Sequence, residues 1–327
     1  MTGPVDPVDP AGPVGVLVMA HGTPARTEDI APFYTRIRHG RPPTPEQLAD
    51  LERRYAAIGG LSPLAQRTRA QVDAVRAELA QRAPGHYRVA YGAKHTDPVI
   101  EDAAGALSRA GVDLVIGLVL TPHGSSMGSE EYLTRAEKAV AGTCPFIAVP
   151  PWYAEPDLVS LLAERVTDAV AKLAAGRDPG RFPVIFTAHS LPERIRDMGD
   201  SYPAQLHASA ALVAAAAGIG RWQVAWQSAG RTPEPWLGPD VRDVVRQLAG
   251  VGGSDELAGL AGVDGVVVCP IGFVTDHLEV LYDLDVEVAA VAAEAGLAFA
   301  RTASLNDDPR FIGVLADVIG AAEARRN

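Results

Sequence analysis

The chain alternates short apolar runs with longer stretches whose apolar residues recur at helical spacing. Nearly unbroken apolar runs lie at residues 14–20 (VGVLVMA) and 112–120 (VDLVIGLVL), and the stretches between such runs predict helices over about 27–38, 45–58 and 129–140. Strands that are apolar at every position are typical of parallel sheets covered by helices on both faces. The pattern therefore predicts an α/β protein built on parallel strands.

The second half of the chain repeats the pattern of the first. Residues 184–192 (VIFTAHSLP) match residues 16–24 (VLVMAHGTP), because both contain an apolar strand followed by Ala-His-x-x-Pro. The histidines at the matching points are His21 and His189. A weaker match aligns the segment around Pro122 with that around Pro270. The chain thus consists of two related units.

We predict two similar α/β halves, residues 14–173 and 182–327, each a parallel sheet flanked by helices. Residues 1–13, which are rich in proline, are predicted to form a disordered tail. In open α/β sheets, ligands bind outside the carboxyl ends of the strands. Two such edges that face each other make a central pocket, so we expect a binding cleft between the halves.

The stretch from Val266 to Glu287 carries an unusual set of charges. It begins as a β-branched strand, breaks at Pro270, and is predicted to continue as a helix from about Thr275. Four carboxylates share one face of that helix at i, i+3, i+7 and i+11, namely Asp276, Glu279, Asp283 and Glu287. The other positions are mostly apolar, which is typical of a buried helix. An acidic row on a buried helix indicates a wet cavity that receives a cation or protons.

A structural interpretation of the same row also exists. Asp276 and Glu279 have the spacing of a helix N-cap residue and its N3 partner, which explains two of the four acids without any function. The capping interpretation leaves Asp283 and Glu287 unexplained. We therefore favour a functional role for the row.

Composition narrows the range of partners. Lys and Arg number 29 against 40 Asp and Glu, a net charge of −11, which argues against a nucleic-acid-binding surface. Cys144 and Cys269 are too few for a disulfide framework or for a four-cysteine zinc or iron–sulfur site. The first residues lack the order of a signal peptide, and no apolar run reaches the length of a membrane span. We expect a cytoplasmic protein with no integral membrane segment.

The histidines at the strand ends are the first candidates for chemistry. A single histidine in this position is more often a structural hydrogen-bonding group, but its recurrence in both halves raises the weight of a functional role. Imidazole binds divalent iron, nickel or zinc and carries protons near neutral pH. His189 together with Glu279 supplies a nitrogen and oxygen pair suited to transient metal binding or to general base catalysis.

A second group of candidates would recognise an anionic ligand. Arg38 and Arg41 form a small basic spot in an acidic protein, and the guanidinium group suits carboxylate capture, although a solvated helix end is the simpler explanation. Ser62 and Tyr132 are candidate hydroxyl donors near the same site. Trp226 and Trp236 lie in a loop rich in Pro and Gly, where they either pack in the core or line an aromatic ligand site.

Three long motifs in a fixed order resemble one family. They are residues 188–192 (AHSLP), residues 226–240 (WQSAGRTPEPWLGPD) and residues 270–283 (PIGFVTDHLEVLYD). Over almost the whole chain the sequence is similar to the ferrochelatases, and specifically to the short type that inserts iron into coproporphyrin III. The resemblance implies two Rossmann-like halves with a porphyrin cleft between them, and a reaction that yields a metalloporphyrin and two protons in haem biosynthesis.

The resemblance also implies roles for individual residues. His189 matches the family's catalytic histidine and Glu279 its partner glutamate. Asp283 and Glu287 match an acidic row implicated as an outer metal site or a proton path. Arg38, Ser62 and Tyr132 match positions associated with the porphyrin propionates. Fe²⁺ would be a substrate, with no prosthetic group and no iron–sulfur cluster; a divalent cation at the acidic row and a monomeric state are further expectations.

Two positions depart from the family pattern. His21 stands where tyrosine is frequent, and a tyrosine there can ligate iron from the face opposite the catalytic histidine. His39 stands where arginine is common near the propionates. These departures leave open a relative that inserts another divalent metal or uses another tetrapyrrole. A tetrapyrrole carrier without turnover, or a two-lobed solute-binding protein, are the alternatives from other classes.

Overall fold

The computed structural model describes residues 13–230, 232–250 and 262–326, so most of the predicted tail lies outside the described residues. The first half contains, in order, β1 (Val14–Ala20), α1 (Ile30–Ile37), α2 (Pro45–Ala57), α3 (Leu64–Arg82), β2 (Tyr87–Ala93), α4 (Ile100–Arg109), β3 (Leu114–Val119), α5 (Ser129–Val140), β4 (Phe146–Ala148) and α6 (Pro156–Ala174). The second contains β5 (Val184–His189), α7 (Tyr202–Ala216), β6 (Trp222–Gln227), α8 (Val241–Leu248), β7 (Gly265–Cys269), a π-helix (Val280–Val288), α9 (Ala289–Glu294), β8 (Ala298–Arg301) and α10 (Pro309–Ala324).

Two parallel sheets of the same topology form the framework of the described residues. Their strand orders are β2-β1-β3-β4 and β6-β5-β7-β8. β1 and β5 occupy equivalent inner positions; His21 directly follows β1, and His189 is the last residue of β5. The predicted fold class and the internal repeat are therefore confirmed. The inner strands β1, β3, β5 and β7 are buried along almost their whole length, as their apolar sequences require.

The halves exchange helices across their boundary. α6 packs against β7 and β8 of the second sheet, and α10 packs against α3 and β3 of the first. Polar contacts fix this exchange: Tyr87 on β2 donates a hydrogen bond of 2.6 Å to Glu323 on α10. The largest apolar cluster consequently runs through both sheets and includes Val16, Leu118, Phe186 and Phe311. The division into residues 14–173 and 182–327 stays a prediction, because each half completes the core of the other.

Among the described helices, none combines the length and the apolar character that a membrane span requires. Helices of sufficient length, such as α3 and α6, carry charged residues through their middle turns. Their buried residues face the sheets and the neighbouring helices. The buried faces of these long helices therefore pack in the protein core.

Candidate active site

His189 ends β5, and its position is fixed by hydrogen bonds from several elements. Its Nδ1 lies 2.5 Å from the Ser190 carbonyl, so this nitrogen is the donor and Nε2 is presented outward. The Tyr202 hydroxyl donates to the His189 carbonyl at 3.0 Å. The Ser190 amide donates to the Gln227 carbonyl at 2.8 Å, and the Ser190 hydroxyl to the Leu237 carbonyl at 2.7 Å. The imidazole therefore has a defined direction.

Glycine is required where the chain after β7 crosses β5. A Cβ atom at Gly272 would lie 2.8 Å from the Ala188 Cα atom, immediately before His189. The Gly272 amide donates to the Thr187 carbonyl at 3.0 Å across this contact. The Pro-Ile-Gly motif thus brings the segment that leads to Glu279 directly against the end of the histidine's strand.

Glu279 faces His189. The His189 Nε2 atom is 3.6 Å from Glu279 Oε1, and the His277 Nε2 atom is 3.7 Å from Glu279 Oε2. The side chains of His189 and Glu279 keep 37% and 39% of their surface exposed, so the pair is open to solvent and to a ligand. The structure thus places the two predicted partners, His189 and Glu279, within 3.6 Å of each other. His277 was missed because residues i and i+2 do not face each other on a helix; here His277 precedes the helix.

Each residue of the His189–Glu279 pair stabilises the charged form of the other. Burial disfavours the charged form of His189, but the Glu279 carboxylate and the Ser190 carbonyl outweigh it and raise the His189 pKa to about 9. Burial likewise opposes ionisation of Glu279, yet the His189 and His277 imidazoles hold its pKa well below the usual range. At neutral pH the free protein therefore holds an imidazolium beside a carboxylate.

The helix that carries Glu279 differs from the predicted one. It begins at Leu278 rather than near Thr275, and residues 280–288 follow π-helical geometry, which is frequent at functional sites. Asp276 precedes the helix, and its carboxylate accepts hydrogen bonds from Ser304 at 2.7 Å and Asn306 at 2.9 Å. Its proposed place on the helical acidic face, and its proposed N-cap role, are both wrong because the helix starts two residues later.

Asp283 is the buried member of the acidic row. Its carboxylate accepts hydrogen bonds from the Ser228 hydroxyl and, at 3.5 Å, from the Gln227 amide, and lies 3.9 Å from Arg54 Nη1. Burial, and then the negative charge of Glu279, raise its pKa to about 6. Ser228 adopts a left-handed φ of 59°, an uncommon conformation for serine that aims its side chain at Asp283. Asp283 is thus able to exchange a proton near neutral pH.

Glu287 lies further along the helix and is already paired. Arg242 Nη1 is 3.2 Å from its carboxylate, and the same guanidinium binds Asp240 through two further hydrogen bonds of 2.9 and 2.8 Å. Within the described residues no three His, Cys, Asp or Glu side chains are placed to hold a metal ion together. A cation entering the acidic row would compete with the guanidinium groups of Arg54 and Arg242.

His21 follows β1 and lies in a group of rings on the first half. Its ring centroid is 4.7 Å from that of His95 and 5.9 Å from that of Phe33. His21 is exposed, yet the surrounding walls remove water and lower its pKa, while Glu279 acts in the opposite direction and His189 and Lys94 lower it further. Glu279 and His189, from the second half, thus both influence the pKa of His21.

The residues predicted to contact propionates are divided between the interior and the surface. Ser62 is buried, and its hydroxyl oxygen accepts the amides of Leu64 at 3.3 Å and of Leu278 at 3.2 Å. Tyr132 is also buried, with the Lys94 ammonium 5.2 Å from its ring centroid. Ser62 therefore adjoins the Glu279 helix.

Arg38, His39 and Arg41 form the turn after α1. Arg38 Nε donates to the Arg41 carbonyl at 3.3 Å, and its guanidinium lies 5.7 Å from the Tyr34 ring centroid. His39 has a left-handed φ of 52° and is exposed, as is Arg41. The structure thus places these three residues together but at the surface, in a segment separate from Ser62.

Comparison with known proteins gives the class of fold first. SirB from Bacillus subtilis with Fe³⁺ superposes with a TM-score of 0.62 at 10% identity over 96% of this chain and 97% of that one. The sirohydrochlorin chelatase SirB from Bacillus subtilis subspecies spizizenii in complex with cobalt gives a TM-score of 0.56 at the same identity and coverage. The fold is therefore that of the chelatases, as predicted.

The chain belongs to the ferrochelatase family, whose model, described as Ferrochelatase, matches residues 13–323. Three relatives named coproporphyrin III ferrochelatase align over 309 residues and 94% of this chain: those of Anoxybacillus flavithermus (42% identical, 95% of that protein), Halalkalibacterium halodurans (44%, 96%) and Bacillus subtilis (42%, 96%). The family prediction made from the three motifs is confirmed.

Proposed function

We propose that the protein inserts Fe²⁺ into coproporphyrin III in haem biosynthesis and releases two protons. The observation that carries this proposal is the His189–Glu279 pair, 3.6 Å apart and partly exposed, at the carboxyl end of β5. The relatives that share 42–44% of the sequence are named for the same reaction. The cytoplasm as the place of action is part of the proposal.

His189 and Glu279 would exchange metal for protons. In the free protein His189 Nε2 carries a proton, because the pKa of this imidazole is raised to about 9. Fe²⁺ and this proton compete for the same lone pair, so arrival of the metal displaces the proton to solvent. When the metal moves to the four porphyrin nitrogens, the two pyrrole N–H groups lose their protons. Nε2 regains one of them and is ready for the next cycle.

The second pyrrole proton needs another acceptor. Glu279 is a poor one, since the neighbouring imidazoles keep its pKa low. Asp283, one turn further along the helix, has a pKa raised to about 6 and accepts a proton more readily. Asp283 and Glu287 would then pass protons along the helix to solvent. Binding of a divalent metal at this row remains an alternative, in competition with Arg54 and Arg242.

The first half would hold and bend the macrocycle. Exposing the lone pairs of the pyrrole nitrogens requires distortion, which binding energy from remote groups can supply at about 1–5 kcal/mol. We assign propionate binding to Arg38, His39, Arg41, Ser62 and Tyr132. We assign His21 to the opposite face of the ring as a candidate axial ligand of the metal in the product.

The test is insertion kinetics under anaerobic conditions with coproporphyrin III and protoporphyrin IX, each with Fe²⁺, Zn²⁺, Co²⁺ and Ni²⁺. Collapse of the free-base visible bands, fastest for coproporphyrin III with Fe²⁺, is the expected result. A preference for another metal would favour the alternative of a specialised relative, for which His21 is the supporting observation. Binding without any spectral conversion would favour a carrier.

A further inference from the structure

A buried tyrosine that the proposed reaction does not use lies directly behind His189. Tyr202, the first residue of α7, is 7% exposed, and its hydroxyl donates to the His189 carbonyl at 3.0 Å. Its ring packs between those of Trp226, at 5.7 Å, and His123, at 6.3 Å. Two aromatic rings therefore hold the tyrosine in place while its hydroxyl group holds the backbone of the histidine.

The backbone of Tyr202 is tied to the other half of the protein. Its amide donates to Asp200 Oδ1 at 2.8 Å. Asp200 Oδ2 accepts the amide of Ser126 at 2.6 Å and its hydroxyl at 2.5 Å. The adjacent Gly124 amide donates to Gln205 on α7 at 2.8 Å. The turn after β3 is thus joined to the start of α7 by hydrogen bonds to Asp200 and Gln205.

This turn leads into α5, which carries Tyr132, a residue proposed to contact the substrate. A path therefore runs from this turn to the carbonyl of His189. It consists of the hydrogen bonds of Ser126 and of the Tyr202 amide to Asp200, the covalent side chain of Tyr202, and the hydrogen bond of its hydroxyl. The Asp200 carboxylate accepts hydrogen bonds from both Ser126 and Tyr202, so it joins the turn after β3 to the start of α7.

We propose that Tyr202 is a positioning residue for metal insertion, which holds the His189 turn at the right distance from Glu279 and couples that turn, through Asp200, to the first half. The proposal rests on the proposed function only for its kinetic readout. Tyr202 does not touch the substrate; its effect is exerted through the histidine.

The test compares Tyr202→Phe with wild type and with Tyr153→Phe. Tyr153 stacks on the His123 ring, 5.5 Å away at 11°, and is the matched control for loss of a hydroxyl in the same cluster. We expect Tyr202→Phe to lower kcat about three- to tenfold, as loss of one hydrogen bond predicts. The KM for porphyrin should stay constant, and Tyr153→Phe should match wild type.

A second readout needs no turnover. In protein labelled with ¹⁵N-histidine, the ring signals of His189, assigned by their loss in His189→Ala, should shift or broaden in Tyr202→Phe but not in Tyr153→Phe. Unchanged kcat and unchanged His189 signals in a folded Tyr202→Phe protein would overturn the proposal. If Tyr202→Phe does not fold, the same two measurements on Asp200→Asn test the proposal. If the wild-type protein proves inactive but Tyr202→Phe still shifts the His189 signals, the positioning role is upheld and the proposed function is refuted.

Discussion

The hydroxyl oxygen of Ser62, between α2 and α3, accepts the amide of Leu278, the first residue of the helix that carries Glu279, at 3.2 Å. The contact joins the two halves, because Ser62 lies in the first half and Leu278 in the second. A residue predicted to bind a propionate thus also supports the acidic helix. The position of Glu279 depends on both halves being correctly packed.

Replacement of Ser62 separates these two roles. Ser62→Ala leaves the Leu278 amide without its partner, which should cost about 1–2 kcal/mol of unfolding free energy and lower kcat. Loss of a propionate contact would instead raise the KM for porphyrin. Thermal unfolding and steady-state kinetics measure both effects, with Ser62→Thr as the control that keeps the hydroxyl. A rise in KM alone would contradict the supporting role.

Replacement of the base should separate binding from chemistry. His189→Ala is expected to lose nearly all metal insertion while it still binds porphyrin, because the Nε2 atom faces Glu279 and is not part of the core. The visible spectrum follows insertion, and quenching of tryptophan fluorescence follows binding. His207, which is exposed on α7, provides the control His207→Ala. Turnover equal to wild type in His189→Ala would refute the central assignment.

The pH dependence follows from the raised pKa of His189. A base with a pKa of about 9 is mostly protonated at pH 7, so kcat/KM for the metal should rise with pH, approaching tenfold per unit. Glu279→Gln removes the negative charge that raises this pKa, and the rise should move to lower pH in the residual activity. Profiles between pH 6 and 9 test this. A profile that falls with pH in wild type is incompatible with the proposed role of Nε2.

Variants of the acidic row distinguish delivery of metal from transfer of protons. Asp283→Asn with Glu287→Gln should raise the metal requirement more than the porphyrin requirement if the row delivers metal. A lower kcat at unchanged metal requirement indicates proton transfer, which the Asp283 pKa of about 6 favours. Arg242→Gln, which frees Glu287 from its ion pair, is the complementary variant. If no parameter changes in the double variant, the row is structural.

Substitution of His21 reports on the opposite face of the ring. His21→Tyr exchanges an imidazole for a phenol, so the absorption spectrum of the bound iron product should change if this residue is an axial ligand. His95→Phe, at the neighbouring ring 4.7 Å away, is the control and should leave the spectrum nearly unaltered. Identical spectra for wild type and His21→Tyr would exclude axial ligation.

The sequence by itself determined the fold class, the repeat and the family. Apolar runs and turn residues recur at fixed local spacing, and strands that lack polar positions have to be covered on both faces, so parallel sheets followed from the pattern. The matching Ala-His-x-x-Pro segments predicted that His21 and His189 follow equivalent strands, and the strand orders agree. Four acids on one helix were candidates, and the resemblance to the ferrochelatases singled out Glu279 as the partner of His189.

Only the tertiary structure decided how these residues are held. The exchange of α6 and α10, the pairing of Glu287 with Arg242, and the bond from Tyr202 to His189 join segments that have no periodic relation in the chain. The amide of Leu278, where the helix starts, donates a hydrogen bond to Ser62, which is far away in sequence. Local patterns record burial and secondary structure, whereas the direction of a side chain depends on distant hydrogen-bond partners, and these are specified only when the two halves pack together.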